Sequence, residues 1–421
     1  MMFAMLFVRM NALLEKSRET DAASRDESIC DTVIHPRKIL LLDDQTTPAT
    51  VSELRHSLIA GREMVTAANV SAATTQLEAD TVDGVVANLR DSDANFSFLE
   101  SIAQSKPSLL RFLLADSTKL SPVIAARHCV LPEVWDAASL TDAICRNFAM
   151  AHWKTNPALV AVMGDIHKIP TLPTLYAEIS DALRRNCDAQ EVARLISKEP
   201  SITAKLIQFV NAGSNALSRR IADPFEAVMF FGTQRLRTLV LLSSMFAQFE
   251  TAKCAAFSQD QFFKNSLGVA TWSASIAKGE IMDKESVDMC FTSGLLHDFG
   301  ALLLASSLPE RYNRAFKFAR ERKISAESAE LEAFGVTHAE VGGFILATWG
   351  LPFPIINAVG WHHAPSMSHD TSLSALTIVH IAASVNASMR SGVLDYDKSY
   401  IEKLGLSEKA DQWASKLTSE G

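Results

Sequence analysis

No CxxC or comparable knuckle spacing occurs in the chain: its six cysteines, at positions 30, 129, 145, 187, 254 and 290, are scattered. They read as buried thiols in a reducing compartment, by default the cytoplasm, rather than as a disulfide framework or zinc knuckle. A glycine-rich phosphate loop is missing, as are any Ser-His-Asp ordering and any internal repeat, so neither nucleotide cradling by such a loop nor that kind of nucleophilic catalysis is suggested. Positive charge is in deficit too. With 40 Lys and Arg against 48 Asp and Glu, the net charge is −8, which excludes bulk binding to nucleic acid or anionic membrane. The start, MMFAMLFVRMNALL, is apolar for about eight residues without a preceding positive region, far below the roughly 18 that a membrane span needs. It is expected to be a short amphipathic helix or an over-extended start site. No transmembrane segment is expected.

What is present suits a globular protein of two or three domains: 421 residues, 48% hydrophobic and 21% charged. After a polar stretch over residues 15–36, which reads as a leader or linker, the pattern changes at Arg37. RKILLLDDQ is a short buried strand ended by acids, and GREMVTAAN, DGVVANL, RFLLAD and CVLP follow as further strands. Helical periods separate them, in VSELRHSLIA, SAATTQLEAD, FSFLESIAQS, LSPVIAARH and AASLTDAICRNFAM. Five strand-helix units in about 115 residues imply a doubly wound five-stranded parallel α/β sheet, with its functional edge at the strand carboxyl ends.

This segment resembles a response-regulator receiver domain. The family places an acidic pair after the first strand, and Asp43 and Asp44 match it. Its phosphoacceptor position falls at Asn88, its hydroxyl position at Ala115 and its lysine position at Leu131. A carboxamide is no nucleophile for phosphoryl transfer, a methyl cannot hydrogen-bond a phosphate, and an isobutyl group cannot pair with its charge. The resemblance therefore implies a pseudo-receiver, with Asp91 or Asp93 as the substitute acceptors to weigh against solvated loop acids.

Pro157 disfavours helix at Asn156 and should stop or kink the helix before it. From Met163 onward only helical patterns remain. DAQEVARLISKE starts at Asp188 as N-cap with Val192, Leu195, Ile196 and Glu199 at helical spacing. PSITAKLIQFVNAG carries Ile202, Leu206, Phe209 and Val210 on one face and stops at Gly213. DPFEAVMFFG has Asp223 at N-cap, Pro224 at N1 and Glu226 at N3, a capping-box arrangement, and the next helix is expected to start from a Thr233 cap.

Further on, SGLLHDFGALLL, THAEVGG and WHHAP hold His297, Asp298, His338, His362 and His363. Together with IHKIPTLPTLYAEI, SKEPSITAKLIQFVNAG and FEAVMFFGTQRLRTLVL, they make residues 160–365 resemble an HDOD domain, an all-helical relative of the HD phosphohydrolases and HD-GYP phosphodiesterases. Glu199 before Pro200, and NAGSNA, are small departures. Four regions are expected: 1–36, apolar start and polar leader; 37–152, receiver-like; 160–365, HDOD; and 366–421, a helical extension packing on the HDOD domain.

The HD enzymes bind metal through a first His, the His-Asp pair and a distal Asp, and the ion lowers the pKa of a bound water that attacks phosphorus. By the resemblance the first His falls at Asn265 and the distal Asp at Ala383, the lysine after the HD pair is Ala301, and no GYP follows HHAP. His297 and Asp298 remain, and His338, His362 and His363 match positions that HD-GYP proteins use for additional ligands. Three readings stand: buried hydrogen-bonding groups that cross-link helices, a bound non-catalytic ion, and a working phosphohydrolase. The resemblance implies a non-enzymatic bacterial signalling protein acting on other signalling proteins. No cofactor is expected; the alternative is a metal-dependent phosphohydrolase or cyclic-dinucleotide sensor with iron, manganese or zinc among His297, Asp298, His338, His362 and His363. Arg219, Arg220, Arg235 and Arg237 are the candidate basic face for a phosphate-bearing nucleotide, and Trp349, Phe353 and Trp361 read as core.

Overall fold

A computed structural model of the chain describes residues 38–42, 63–79, 81–88, 93–106, 109–115, 129–131, 136–166, 172–213, 221–248, 254–368, 370 and 372–420. These residues fall into two units, 1–148 and 149–421. Residues 1–36, the acidic pair Asp43 and Asp44, Asp91, the helical stretches expected over 51–60 and 120–128, and Arg219 and Arg220 lie outside the described residues.

In the first unit, β1 (Lys38–Leu42), β2 (Glu63–Ala67), β3 (Gly84–Asn88), β4 (Leu110–Leu114) and β5 (Cys129–Leu131) form one parallel sheet in the order β2-β1-β3-β4-β5. This is a doubly wound order, reversing direction between β1 and β3. Helices α1 (Val70–Ala79) and α2 (Asp93–Ser105) cover one face, where Leu77, Leu99 and Ile102 pack on Leu40, Leu42, Val85, Ala87 and Leu113. The other face holds Ile39, Leu41, Val86, Phe112 and Leu114 against Leu140, Ile144 and Phe148 of α3 (Ala137–Thr155). Both faces are buried, which is why the strands read as continuous apolar runs. Asn88 ends β3, Ala115 follows β4 and Leu131 ends β5. All three sit at the carboxyl edge.

The second unit begins within α3 and is helical throughout its described residues. α3 stops at Thr155, and α4 (Pro157–Asp165) starts with Pro157 in its first turn and Asn156 as N-cap, whose Oδ1 accepts from the Ala158 and Leu159 amides at 3.0 and 3.3 Å. Then come α5 (Thr174–Arg184), α6 (Ala189–Ser197), α7 (Pro200–Gly213), α8 (Pro224–Phe231) and α9 (Thr233–Gln248). Next are α10 (Gln259–Gly279), α11 (Lys284–Leu296), α12 (Phe299–Ser307), α13 (Pro309–Arg322) and α14 (Ala326–Phe334). α15 (His338–Thr348), α16 (Phe353–Trp361), α17 (Ala375–Ser391), α18 (Lys398–Lys403) and α19 (Ser407–Glu420) complete it.

Asp188 caps α6 through the Glu191 amide at 2.8 Å, as its sequence predicts. Three details differ from expectation. Glu199 lies beyond α6, which ends at Ser197. At α8, Asp223 accepts from Glu226 N at 2.9 Å, but Glu226 reaches back to Ala222 N at 3.0 Å, one residue before the cap. The box is therefore stretched by one residue. At α9, Thr233 is already helical, and the turn is made by Gly232 at φ +79°, a conformation that favours glycine.

α10 and α11 pack closely because Gly294 lets the backbones approach: a Cβ there would lie 2.8 Å from Ala270 Cα. α19 is tied to the C-terminal end of α10 by Trp413 Nε1, which donates to Glu280 Oε1 at 3.1 Å, and by the Lys409–Glu280 ion pair. The stretch Lys284–Ser307 is long and apolar enough to cross a membrane by length and composition, but most of it is buried inside the fold.

Candidate metal centre

The α11–α12 run is interrupted at His297 and Asp298. Asp298 occupies the N-cap position of α12, yet its carboxylate makes no cap bond. It turns to histidines instead. Its Oδ2 lies 3.2 Å from His297 Nε2, and its Oδ1 lies 3.1 Å from His338 Nε2 and 3.8 Å from His362 Nε2. His363 Nε2 is 3.1 Å from His338 Nε2 and 3.2 Å from Glu327 Oε1.

Local structure decides which ring nitrogens face inward. His297 and His362 each follow the last residue of a helix, where carbonyls lack intrahelical partners. Their Nδ1 atoms lie 2.8 Å from Gly294 O and 2.9 Å from Val359 O, three residues back in each case. A carbonyl only accepts, so Nδ1 is the donor in both rings and Nε2 is the atom turned into the site. His338 opens α15 behind a capping box of Thr337 and Glu340. Its Nδ1 donates to Glu330 Oε2 at 2.7 Å, and its backbone N–H donates to the same oxygen at 2.8 Å. Glu330 is fully buried in α14, which Gly335 ends in the left-handed conformation so that the chain turns back over it. α12 and α15 meet without intervening side chains: a Cβ on Gly300 would lie 1.9 Å from His338 O.

The electrostatics follow from this packing. Burial alone would raise the Asp298 carboxyl, but His297 and then His338 outweigh it and hold the group well below the usual carboxylate range. For His338, burial works downward, and Glu330 and Asp298 overcome it, lifting the imidazole well above its usual value. His362 is pushed well down, first by burial and then by the charges of His363, His297 and His338. In an ion-free protein a protonated His338 gives Nδ1–H to Glu330 and has its single Nε2–H for either Asp298 or His363. Hydrogen bonding then satisfies most of the cluster. The exceptions among these groups are His362 Nε2 and Glu330 Oε1, both buried without a hydrogen-bond partner.

Ligand atoms of Asp298, His338, His362 and His363 all lie within 4.8 Å of one another. Donors around a tetrahedral zinc-like ion sit roughly 3.4 Å apart, so modest closure would bring the set onto one ion. Three imidazoles with one carboxylate suit zinc, iron or manganese, and the Nδ1 partners supply the outer hydrogen bonds that metal-ligating histidines need. The set fits a divalent ion. His297 lies outside this four-donor group and bonds the other oxygen of Asp298.

A cavity of about 410 Å³ opens onto the cluster, and His297, Asp298, His338 and His363 line it together with Asn265, Ala301 and Ala383. The positions read from sequence as lost ligands therefore share one wall with those that were kept. Sequence reasoning missed Glu327 and Glu330. The signal for Glu330 is a carboxylate on the face of α14 that also buries Ala329 and Phe334. Of the described members of the expected basic face, Arg235 Nε pairs with Asp288 at 2.9 Å, and Arg237 lies over the Tyr176 ring. Phe353 and Trp361 are buried, with Trp361 stacked on Trp153, whereas Trp349 is half-buried.

Residues 169–365 match the family model of the HDOD domain. This stretch is an HDOD domain. A curated protein of Treponema pallidum (strain Nichols), itself named uncharacterized, is 27% identical over 212 residues, which are 50% of this chain and 40% of the relative. The chain thus spans well under two thirds of that relative's length. Among solved structures, an HDOD domain protein from Geobacter sulfurreducens is 20% identical, covers 63% of this chain and 94% of its own, and superposes with a TM-score of 0.49. A Shewanella amazonensis SB2B protein, named as a candidate phosphohydrolase, is 21% identical over 62% of this chain and 93% of its own, with a TM-score of 0.47.

Proposed function

We propose that this chain is a non-enzymatic signalling protein whose HDOD domain holds one divalent ion through Asp298, His338, His362 and His363 and acts through contacts with other signalling proteins. The convergence of four donor atoms within 4.8 Å carries the reading, because lone pairs aimed at one point repel unless a proton or a cation lies between them. When bound, the ion would supply positive charge that locks α12, α15 and the end of α16 together. His362 would gain the partner that it lacks, and Asp298 would be the single carboxylate in the set.

Turnover of a phosphate ester is disfavoured by the same wall. Asn265 and Ala383 offer a weak neutral ligand and none, and Ala301 cannot reach a phosphate. In the first unit, the parallel order β2-β1-β3-β4-β5 supports a receiver-like domain over residues 37–152. Asn88, Ala115 and Leu131 at its carboxyl edge support one that takes no phosphoryl group. Residues 160–365 are then the output domain and residues 366–421 its helical extension.

Elemental analysis of purified full-length protein tests the metal reading. About one equivalent of zinc, iron or manganese is expected, lost in a His338→Ala, His362→Ala double variant, with no hydrolysis of bis-p-nitrophenyl phosphate by either protein. Metal-free protein after refolding with each of the three ions would sink the metal assignment; metal-dependent turnover would replace it by the phosphohydrolase reading.

A further inference from the structure

Apart from the imidazoles of the cluster, the charged lining of the cavity has one sign. Among the described residues that line it there is no Lys or Arg, while Asp298, Glu327 and Glu330 contribute three carboxylates. Glu330 is fully buried, and only its Oε2 is engaged by His338; its Oε1 has no hydrogen-bond partner. Phe257, Phe262, Tyr312 and Phe316 also line the cavity. Their rings form a continuous set, with centroids 5.3 Å apart for Phe257–Phe262, 6.3 Å for Phe257–Tyr312 and 4.4 Å for Tyr312–Phe316.

Aromatic faces and carboxylates attract the same charge. The ring quadrupole presents a negative face to a cation, and an anionic phosphate entering beside three carboxylates, one of them with an oxygen that no donor satisfies, meets like-charge repulsion in a medium of lowered dielectric. Glu327 adds a further point. Its contact is His363 Nε2 at 3.2 Å, the nitrogen that an ion on the cluster would occupy, so metal binding would leave Glu327 in search of another cation.

We infer that the cavity takes a small organic ammonium ion, seated on Phe257, Tyr312 and Phe316 with Glu327 and Glu330 as its counter-charges. This goes beyond the metal reading and does not require it, since rings and carboxylates line the cavity whether or not an ion is held.

Isothermal titration calorimetry of the full-length protein tests it, once after chelator treatment and once with manganese. The probes are choline, putrescine, inorganic phosphate and 3,3-dimethyl-1-butanol, the uncharged isostere of choline. Saturable binding of choline or putrescine is expected, at least about tenfold tighter than the isostere, with no heat from phosphate. Glu327→Gln should weaken the bound ammonium about tenfold. Absence of binding by both ammonium probes, equal binding of choline and its isostere, binding of phosphate in their place, or unchanged affinity in Glu327→Gln each overturns the inference. Metal content is measured on the same samples, so a metal-free protein that binds choline removes the metal reading and leaves this one standing.

Discussion

Glu330→Gln tests the architecture of the centre at one atom. Glu330 is fully buried, and its Oε2 receives both the ring and the backbone N–H of His338, at 2.7 and 2.8 Å. Glutamine keeps the shape and one acceptor but removes the charge. A hydrogen bond to a charged group contributes about 1.5–3 kcal/mol and a neutral one about 1 kcal/mol, so losing the charge assistance in two bonds should cost about 2–3 kcal/mol. For a unit of this size that is a fall in melting temperature of roughly 5–10 °C, read by circular dichroism on chelator-treated protein.

The effect has a sign in pH. The His338 imidazole is raised well above its usual value, with Glu330 the first of the groups that lift it against burial. Its stabilising charge is therefore fully present below the unfolded value and is lost as pH rises through the folded one. The gap between wild type and Glu330→Gln should be widest at mildly acidic pH and narrow on the alkaline side. Because the carboxylate also orients the His338 ring, metal affinity should fall about 10–100-fold. A variant melting within about 2 °C of wild type at acidic pH, with unchanged metal affinity, would refute the claim that this buried pair organises the centre.

Two other substitutions probe the frame and the first unit. Gly300→Ala places a Cβ 1.9 Å from His338 O and 2.7 Å from Gly342 N, both backbone atoms, so α12 and α15 must separate; a loss of about 3 kcal/mol or more is expected in chemical denaturation, and an unshifted curve would contradict the packing. With acetyl phosphate, mass spectrometry of the wild-type chain should find no phosphorylated Asp in residues 1–148, since Asn88 stands where the acceptor is expected; a modified Asp there would overturn the pseudo-receiver reading.

Much of the fold was legible locally. Runs such as KILLL and GVVAN read as buried strands because both sheet faces are covered, and Asn156–Pro157 read as a helix boundary because proline restricts the residue before it. Caps were legible as residue types but not as geometry. Glu226 reaches Ala222 rather than Asp223, and Gly232 rather than Thr233 makes the turn into α9, since both depend on backbone angles that neighbouring helices impose. The centre was legible as five residues but not as a set. Nothing in the spacing says that His297 takes the far oxygen of Asp298, or that Glu330, eight residues before His338, lies beneath it.

By itself, the sequence determined the alternation of apolar runs that makes a parallel sheet followed by helices, and the residue types available for chemistry, because both are properties of side chains and their local period. Tertiary structure decided which of those side chains meet. Four donors from α12, the start of α15 and the end of α16 come within 4.8 Å of one another only because Gly300 lets the α12 backbone rest against His338 O, and the Nε2 atoms turn inward only because helix-end carbonyls and Glu330 take the other ring nitrogens. Those are long-range contacts, and no local rule encodes them.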